Sequence, residues 1–316
     1  MMRRDLFELK IDGRIIRLGE RTLIMGVLNV TPDSFSDGGL YLDPEKACRH
    51  AVEMAKAGAD WIDVGGESTR PGSRPIPAGE ELQRVLPVIR EIRKRPGSIP
   101  ISIDTTKAEV AEEAVKAGAR IINDVSGLRF DPGIARVARR YNTPLVLMHL
   151  RGHPKTMQQR PFVRDVWRSV LEGLGSAIDR ALSAGVPRSQ LIVDPGLGFG
   201  KSRRQNFEIL ARLDRLRKFN LPILVGTSRK SFVQAITRGE GLDPKRSNKP
   251  AGTPWPLTKP GRTAAREGGV LTQLGLGDAA AVVASILGGA HIVRVHDVAG
   301  ALPAVRIADA VLAASR

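Results

Sequence analysis

The sequence predicts a (β/α)8 barrel, and three observations carry that prediction. Short apolar strands alternate with amphipathic helices eight times. The joints from helix into strand repeat one design. Polar residues gather where the strands end, while Gly, Pro and Ala hold the opposite ends. The strands read Leu23–Leu28, Trp61–Val64, Ile101–Ile103, Arg120–Asn123, Leu145–Met148, Leu191–Val193, Ile223–Val225 and His291–Val295. The helices read Pro44–Ala57, Ala78–Arg95, Lys107–Ala117, Pro132–Tyr141, Arg164–Ala184, Arg204–Lys218, Lys230–Arg238 and Asp278–Leu287, with a last helix at Pro303–Ala314. In Ala57–Val64, Ala117–Val125 and Gly289–Val298 a helix stops at Gly and the chain turns straight into a strand. A doubly wound sheet is the competing fold. It would place GxGxxG after the first strand, and neither Gly26–Gly39 nor Gly196–Gly200 has that spacing.

Taken in order, residues 7–18 alternate apolar and polar around Asp12-Gly13, the signal of a β-hairpin, here placed to plug one end of the barrel. The first core strand then runs into MGVLNVTPDSFSDGG, residues 25–39. Its apolar start suits a buried parallel strand. Pro32 cannot continue the ladder and Gly38-Gly39 is permissive backbone, so a rigid strand gives way to a polar loop at Asn29. Val30 to Gly39 reads as a movable cover over the mouth. Cys48 falls on the first helix as a packed, inert side chain. Residues 239–275 break the rhythm with five prolines and several Lys and Arg, and read as a mobile insertion before the eighth unit. The whole chain reads as a single domain, 1–316.

Composition narrows the class. At 42% hydrophobic the core is ample, and with only 4% aromatics it must be filled by Val, Ile, Leu and Ala, as layered parallel strands require. One cysteine excludes an intramolecular disulfide and a Cys-rich zinc site. The basic N-terminus has no apolar stretch behind it, and no apolar run approaches a membrane span, so the expected location is the cytoplasm. A net charge of +16 is first a solubilising surface, then a sign of an anionic substrate; no nucleic-acid-binding module accompanies it.

In such barrels the active site lies at the C-terminal ends of the strands. Those positions carry Asn29, Glu67, Thr69, Arg70, Asp104, Asn123, Asp124, Met148, His149, Asp194, Ser228, Arg229, Lys230, Arg294, His296 and Asp297. Asp104, Asn123, Asp194 and Lys230 suit a flat heterocycle with an amidine-like edge, whose two N–H groups a carboxylate can accept. Arg70, Arg294 and His296, with Asn29, suit a phosphate or diphosphate. Duller readings stand beside these: Asp104 as a helix cap, Asn123 or Asp124 as a turn closure, Asp194 as a strand stop. His149, His50 and His291 read as structural. No metal-ligand spacing and no Ser–His–acid arrangement is visible.

Eight motifs then stand in order at strand ends: Gly26–Gly39, Asp63–Gly72, Ser102–Thr105, Ile122–Val125, Leu147–His149, Asp194–Lys201, Gly226–Ser231 and Arg294–Val298. In these the sequence resembles the dihydropteroate synthases, over about residues 22–238 and 277–300. The resemblance implies condensation of 6-hydroxymethyl-7,8-dihydropterin diphosphate with 4-aminobenzoate, by dissociative displacement of diphosphate, in folate biosynthesis. It implies pterin binding by Asp104, Asn123, Met148, Asp194, Lys230 and Arg294. It implies diphosphate binding by Asn29, Arg70, Arg294 and His296, with Asn29 on Mg2+. Phe35, Thr69, Pro71, Phe199 and Ser228 would line the aminobenzoate site, and Arg70, Asp104, Lys230 and His296 would be catalytic. It also implies a homodimer, with small molecules rather than nucleic acid or membrane as partners. A methyl-folate:corrinoid methyltransferase-type barrel and an inactive homologue are the alternatives. Two departures are visible: the long basic insertion, and Asp278 where the family more often has Thr or Ser. Both are expected to lie away from the site.

Overall fold

The structure, a computed structural model, describes residues 4–31, 43–69, 72–95, 97–159, 161, 164–243 and 273–315. Asp12 and Gly13 take φ of 49° and 75°, the paired positive values a two-residue hairpin turn needs. They join β1 (Phe7–Ile11) to β2 (Arg14–Leu18) in antiparallel register. The inward residues Leu9, Ile11 and Leu18 are buried against Leu23, Met25, Trp61, Ile121, Val146, Ile192, Leu224 and Ile292. These are positions at the N-terminal ends of the core strands, so the hairpin plugs the lower mouth as expected. Each of its three buried aliphatics contributes about 1.5–3 kcal/mol by leaving water.

Eight parallel strands follow: β3 (Leu23–Asn29), β4 (Trp61–Gly65), β5 (Ile101–Asp104), β6 (Ile121–Asp124), β7 (Leu145–Met148), β8 (Leu191–Asp194), β9 (Leu224–Gly226) and β10 (Ile292–Val295). Each pairs with its neighbour in chain order, and β10 pairs with both β3 and β9. A parallel bridge from Val193 to Ile223 joins β8 to the start of β9 and closes the ring. Closure excludes the doubly wound alternative.

Strand periodicity assigns the side chains to two faces. Outward residues such as Ile62, Val64, Ile103, Ile122, Leu147, Val193 and Val293 pack into one cluster with the helices. Inward residues form layers. Above the apolar layer of Trp61, Ile121, Val146, Ile192 and Ile292, two residues further along each strand, come Asp63, Asn123, Met148, Asp194 and Arg294. Apolar filler thus gives way to functional groups in a single strand step.

The helices are α1 (Pro44–Lys56), α2 (Ala78–Arg93), α3 (Ala108–Ala117), α4 (Gly133–Tyr141), α5 (Val166–Ser183), α6 (Arg203–Ala211), α7 (Ser231–Thr237), α8 (Gln273–Leu287) and α9 (Val298–Ala314). Three differ from the sequence expectation. The helix expected over Arg204–Lys218 breaks at Arg212, where φ is −133° and ψ 36°, and resumes as a 3-10 turn over Leu213–Phe219. Its buried residues Leu213, Leu216 and Phe219 recur every third position, which matches three residues per turn. The last helix begins at Val298 rather than Pro303, because Asp297 caps it by accepting from the Gly300 N–H at 2.9 Å. Pro303 costs only one bond inside the helix. The eighth helix begins at Gln273 rather than Asp278, so the end of the expected insertion is helical. The insertion's residues 244–272 and the expected cover over residues 32–39 lie outside the described residues.

Candidate active site

Register fixes the geometry of the mouth. Asn29, Gly65, Asp104 and Asn123 are successive lateral neighbours across β3 to β6, and Met148 sits opposite Asp194. Arg294 reaches across the barrel interior. Its Nε donates to Asp63 Oδ2 at 2.6 Å and its Nη2 to Asp104 Oδ2 at 2.7 Å. The Asn123 amide also donates to Asp63 Oδ2, at 3.0 Å. One guanidinium therefore ties two buried carboxylates, in the forked geometry Arg favours. The second oxygens, Asp63 Oδ1 and Asp104 Oδ1, are buried without a hydrogen-bond partner among the described residues. Buried polar atoms are ordinarily satisfied, so Asp104 Oδ1 stands ready to accept from a ligand.

Asp194, Lys230, Phe199 and Met148 make the adjoining wall. Asp194 Oδ1 accepts from the Gly196 N–H at 2.7 Å. Gly196 has φ +67°, and a Cβ there would stand 2.1 Å from the His149 carbonyl oxygen, so only glycine lets this loop lie against β7. Lys201 is buried and donates to the carbonyls of His149, Gly196 and Phe199 at 3.1, 2.7 and 3.0 Å, locking the loop. Lys230 lies 4.1 Å from the centroid of the Phe199 ring, a cation–π contact. Met148 and Phe199 belong to a small apolar cluster with Val125, Leu150 and Met157, with Phe130 packed against it.

Burial raises the Asp104 carboxyl to about 7, against the pull of Arg294 and with the help of the Asp63 charge. It raises Asp194 to about 6, opposed by the Gly196 N–H bond and by Lys230. It lowers Lys230 to about 8, an effect Arg294 adds to and Asp194 opposes. Burial also lowers Lys201, to about 7. Shifted acids and bases gathered in one mouth are what a site for acid–base or charge-stabilising chemistry requires.

A third group lies beside this wall. Ser228 Oγ donates to Asp278 Oδ2 at 3.2 Å, and the Arg229 N–H donates to the same oxygen at 2.8 Å. Ser228 Oγ also meets the backbone N–H and the Nδ1 of His296, each at 3.3 Å. Asp278 was expected to lie away from the site. It does not, because α8 packs its first turns over the end of β9.

Asp104, Asn123 and Arg294 are brought together, as are Met148, Asp194, Phe199 and Lys230, and Ser228 with His296. Asn29 ends β3 beside Gly65, and Thr69 is half-buried in the loop after β4. Phe35, Arg70 and Pro71 lie outside the described residues. The capping reading of Asp104 fails: Asp131 Oδ2 takes the Ala108 N–H at the start of α3, at 2.7 Å. Asp124, by contrast, closes a turn, accepting from Ser126 N and Leu128 N at 2.8 and 2.6 Å. His149 is structural as read, held neutral because burial lowers it to about 2. His291 is structural too: Nδ1 accepts from the Ile223 N–H at 3.1 Å and Nε2 faces the Asp5 carbonyl at 3.0 Å. Sequence reading missed Asp63, Lys201 and Asp278 as contributors. For Asp63 a signal existed, a carboxylate two positions beyond Trp61 on the inward face of an apolar strand.

Comparison with known proteins agrees with this geometry. A family model described as pterin binding enzyme matches residues 25–296. A dihydropteroate synthase of Synechocystis is 41% identical over 302 residues, covering 96% of this chain and 94% of that one. Among solved structures, the Xanthomonas albilineans dihydropteroate synthase with 4-aminobenzoic acid aligns with a TM-score of 0.80 at 38% identity, covering 98% of this chain and 99% of that one. The same enzyme in complex with 7,8-dihydropteroate gives a TM-score of 0.76 at 37% identity, over 97% and 99% of the two chains. With its strand-end residues converging on one mouth, and with matches that span nearly the whole of each chain, the chain belongs to the pterin binding enzymes, within the dihydropteroate synthase group.

Proposed function

We propose that the three adjacent groups divide the dihydropteroate synthase reaction among them. The observation that carries this reading is the mouth itself: buried Asp104, with an unpartnered oxygen, beside Asn123, Asp194, Lys230 and Arg294. Asp104 and Asp194 accept the N–H edge of the pterin, Asn123 and Lys230 complete it, and Met148 supports the ring. Arg294 stacks over the ring while held by Asp63 and Asp104. Asn29, Arg70 and His296, with Arg294, receive the diphosphate. Thr69, Pro71, Phe35, Phe199 and Ser228 line the aminobenzoate site, next to the Lys230 stem.

Mg2+ is proposed at the diphosphate. Asn29 offers a hard amide oxygen at the end of β3, which suits a cation that keeps waters and takes its other oxygens from substrate phosphates. When bound, the ion would neutralise charge on the departing diphosphate. The remaining work falls to the chain. The bond between the pterin methylene and the diphosphate oxygen breaks, and its electron pair leaves with diphosphate. Arg and His groups stabilise that charge where it develops. Asp104 and Asp194 stabilise the positive charge spread over the pterin. The neutral amine of 4-aminobenzoate then forms the C–N bond and releases its proton, so no strong general base is required.

The test is diphosphate release that depends on both the pterin diphosphate and 4-aminobenzoate. No release with both present would sink the reading. Its pH dependence is also expected. The carboxylates accept from the pterin only when ionised, so kcat/KM for the pterin diphosphate falls on acidification through about 7 and then about 6. It falls again above about 8, where Lys230 loses its proton. A profile flat from pH 5 to 9 would contradict these roles.

A homodimer and a cytoplasmic location are part of the proposal. Leu276, Ile236, Ile307 and Val311 on α7, α8 and α9 are exposed apolar side chains, a face suited to a second copy. Sedimentation velocity is expected to show a species of twice the chain mass; a monomer at high concentration would exclude it. Among the described residues no helix is long and apolar enough to cross a membrane.

A further inference from the structure

Ser228 stands between two groups that the proposed function does not connect. On one side its hydroxyl faces Asp278 Oδ2 at 3.2 Å, and on the other it faces His296 Nδ1 at 3.3 Å. A serine hydroxyl has one proton to donate and two lone pairs to offer. The Asp278 carboxylate can only accept, and its Oδ2 also takes the Arg229 N–H at 2.8 Å. The single Ser228 proton is therefore committed to Asp278. Only acceptor capacity remains toward His296, whose backbone N–H already points at the same oxygen, at 3.3 Å. Nδ1 must then be the donor, so the neutral ring carries its proton on Nδ1. Nε2 is the nitrogen that takes up a proton. The chain runs Asp278, Ser228, His296, from the first turns of α8 through the loop after β9 to the end of β10.

We propose that Asp278 is a positioning residue which fixes, through the Ser228 hydroxyl, the ring orientation and tautomer of His296. It rests on the proposed function only for what Nε2 then meets, the leaving diphosphate. Asp278 acts through Ser228 and the Arg229 N–H, the two groups its Oδ2 accepts from. Thr or Ser at this position would bring a hydroxyl of its own and would not dictate the direction of the Ser228 proton. The carboxylate makes the arrangement one-directional, because an acceptor with no proton leaves the serine a single choice.

Two variants and two readouts test this. Asp278→Asn keeps an oxygen able to accept from Ser228 and Arg229; Asp278→Ala removes it. In the wild type and in Asp278→Asn, the 15N shifts of the His296 ring are expected to show the Nδ1–H form when neutral. In Asp278→Ala the Nε2–H form appears. In steady state, Asp278→Ala is expected to lower kcat by about 2- to 10-fold, the worth of one net hydrogen bond, with KM for the pterin diphosphate unchanged and Asp278→Asn restoring most of the loss. A wild-type ring protonated on Nε2 when neutral, or an Asp278→Ala ring still in the Nδ1–H form, would overturn the proposal. So would an Asp278→Ala kcat equal to wild type. Because the ring tautomer is read without turnover, it reports on Asp278 even if the condensation assay fails.

Discussion

Replacing Arg294 by Ala is expected to destabilise the fold by about 3–5 kcal/mol, the cost of removing one partner from a buried ion pair. The Arg294 side chain holds Asp63, which is 0% exposed, and Asp104, which is 8% exposed. Without the guanidinium both carboxylates stay in the barrel interior without their ion-pair partner, and Lys230 is left near Asp104 as a positive charge. The cost should depend on pH in a definite sense. Burial already lifts Asp104 to about 7, so its ionised form is the costly one in the folded state. Below that pH the carboxyl is protonated and has less need of Arg294. The deficit of Arg294→Ala should therefore be largest above about pH 7 and shrink as pH falls. Urea unfolding at pH 5 and pH 8 measures it. The same change should lower kcat/KM by about 10²–10³-fold, as loss of one preorganised donor at developing charge does. Equal stability of variant and wild type at pH 8 would show that the pairing does not matter.

Asp194→Ala is expected to weaken pterin binding by about 10²–10⁴-fold, since two charge-assisted hydrogen bonds at about 1.5–3 kcal/mol each are lost. The fold should survive, because Asp194 is held from the backbone at the Gly196 N–H and not by a bridging cation. Removing it also takes away the charge that opposes the downward shift of Lys230. The alkaline limb of the pH profile should then move to lower pH. Calorimetric titration with a pterin ligand would measure the affinity. Intact affinity with lost turnover would reverse the assignment and make Asp194 a group for the chemical step.

Much of this was legible in the residues because barrels are locally written. Each strand is four to seven residues long with few exceptions, each helix shows its apolar face, and the C-terminal strand ends carry the polar groups. Asp104, Asn123, Met148, Asp194 and Arg294 could be found without coordinates, since they stand at the C-terminal ends of strands, where the sites of such barrels lie. The helix starts were less legible. Pro303 reads as a beginning because proline favours the first turn, but Asp297 caps the helix so that it starts at Val298, five residues earlier.

What the sequence by itself determined was the architecture and the chemical types at the mouth. What only the tertiary structure decided was who meets whom. Arg294 bonds Asp63 across 231 positions of chain and Asp104 across 190, and Ser228 bonds Asp278 across 50. Local propensity is blind at such separations; the closing of the ring brings β10 against β3, and with it one end of the chain against the other. The shifted carboxylates and lysines arise the same way. Burial is a property of the closed barrel, not of any residue in it, and it turns Asp104 and Asp194 from ordinary acids into groups that respond near neutral pH.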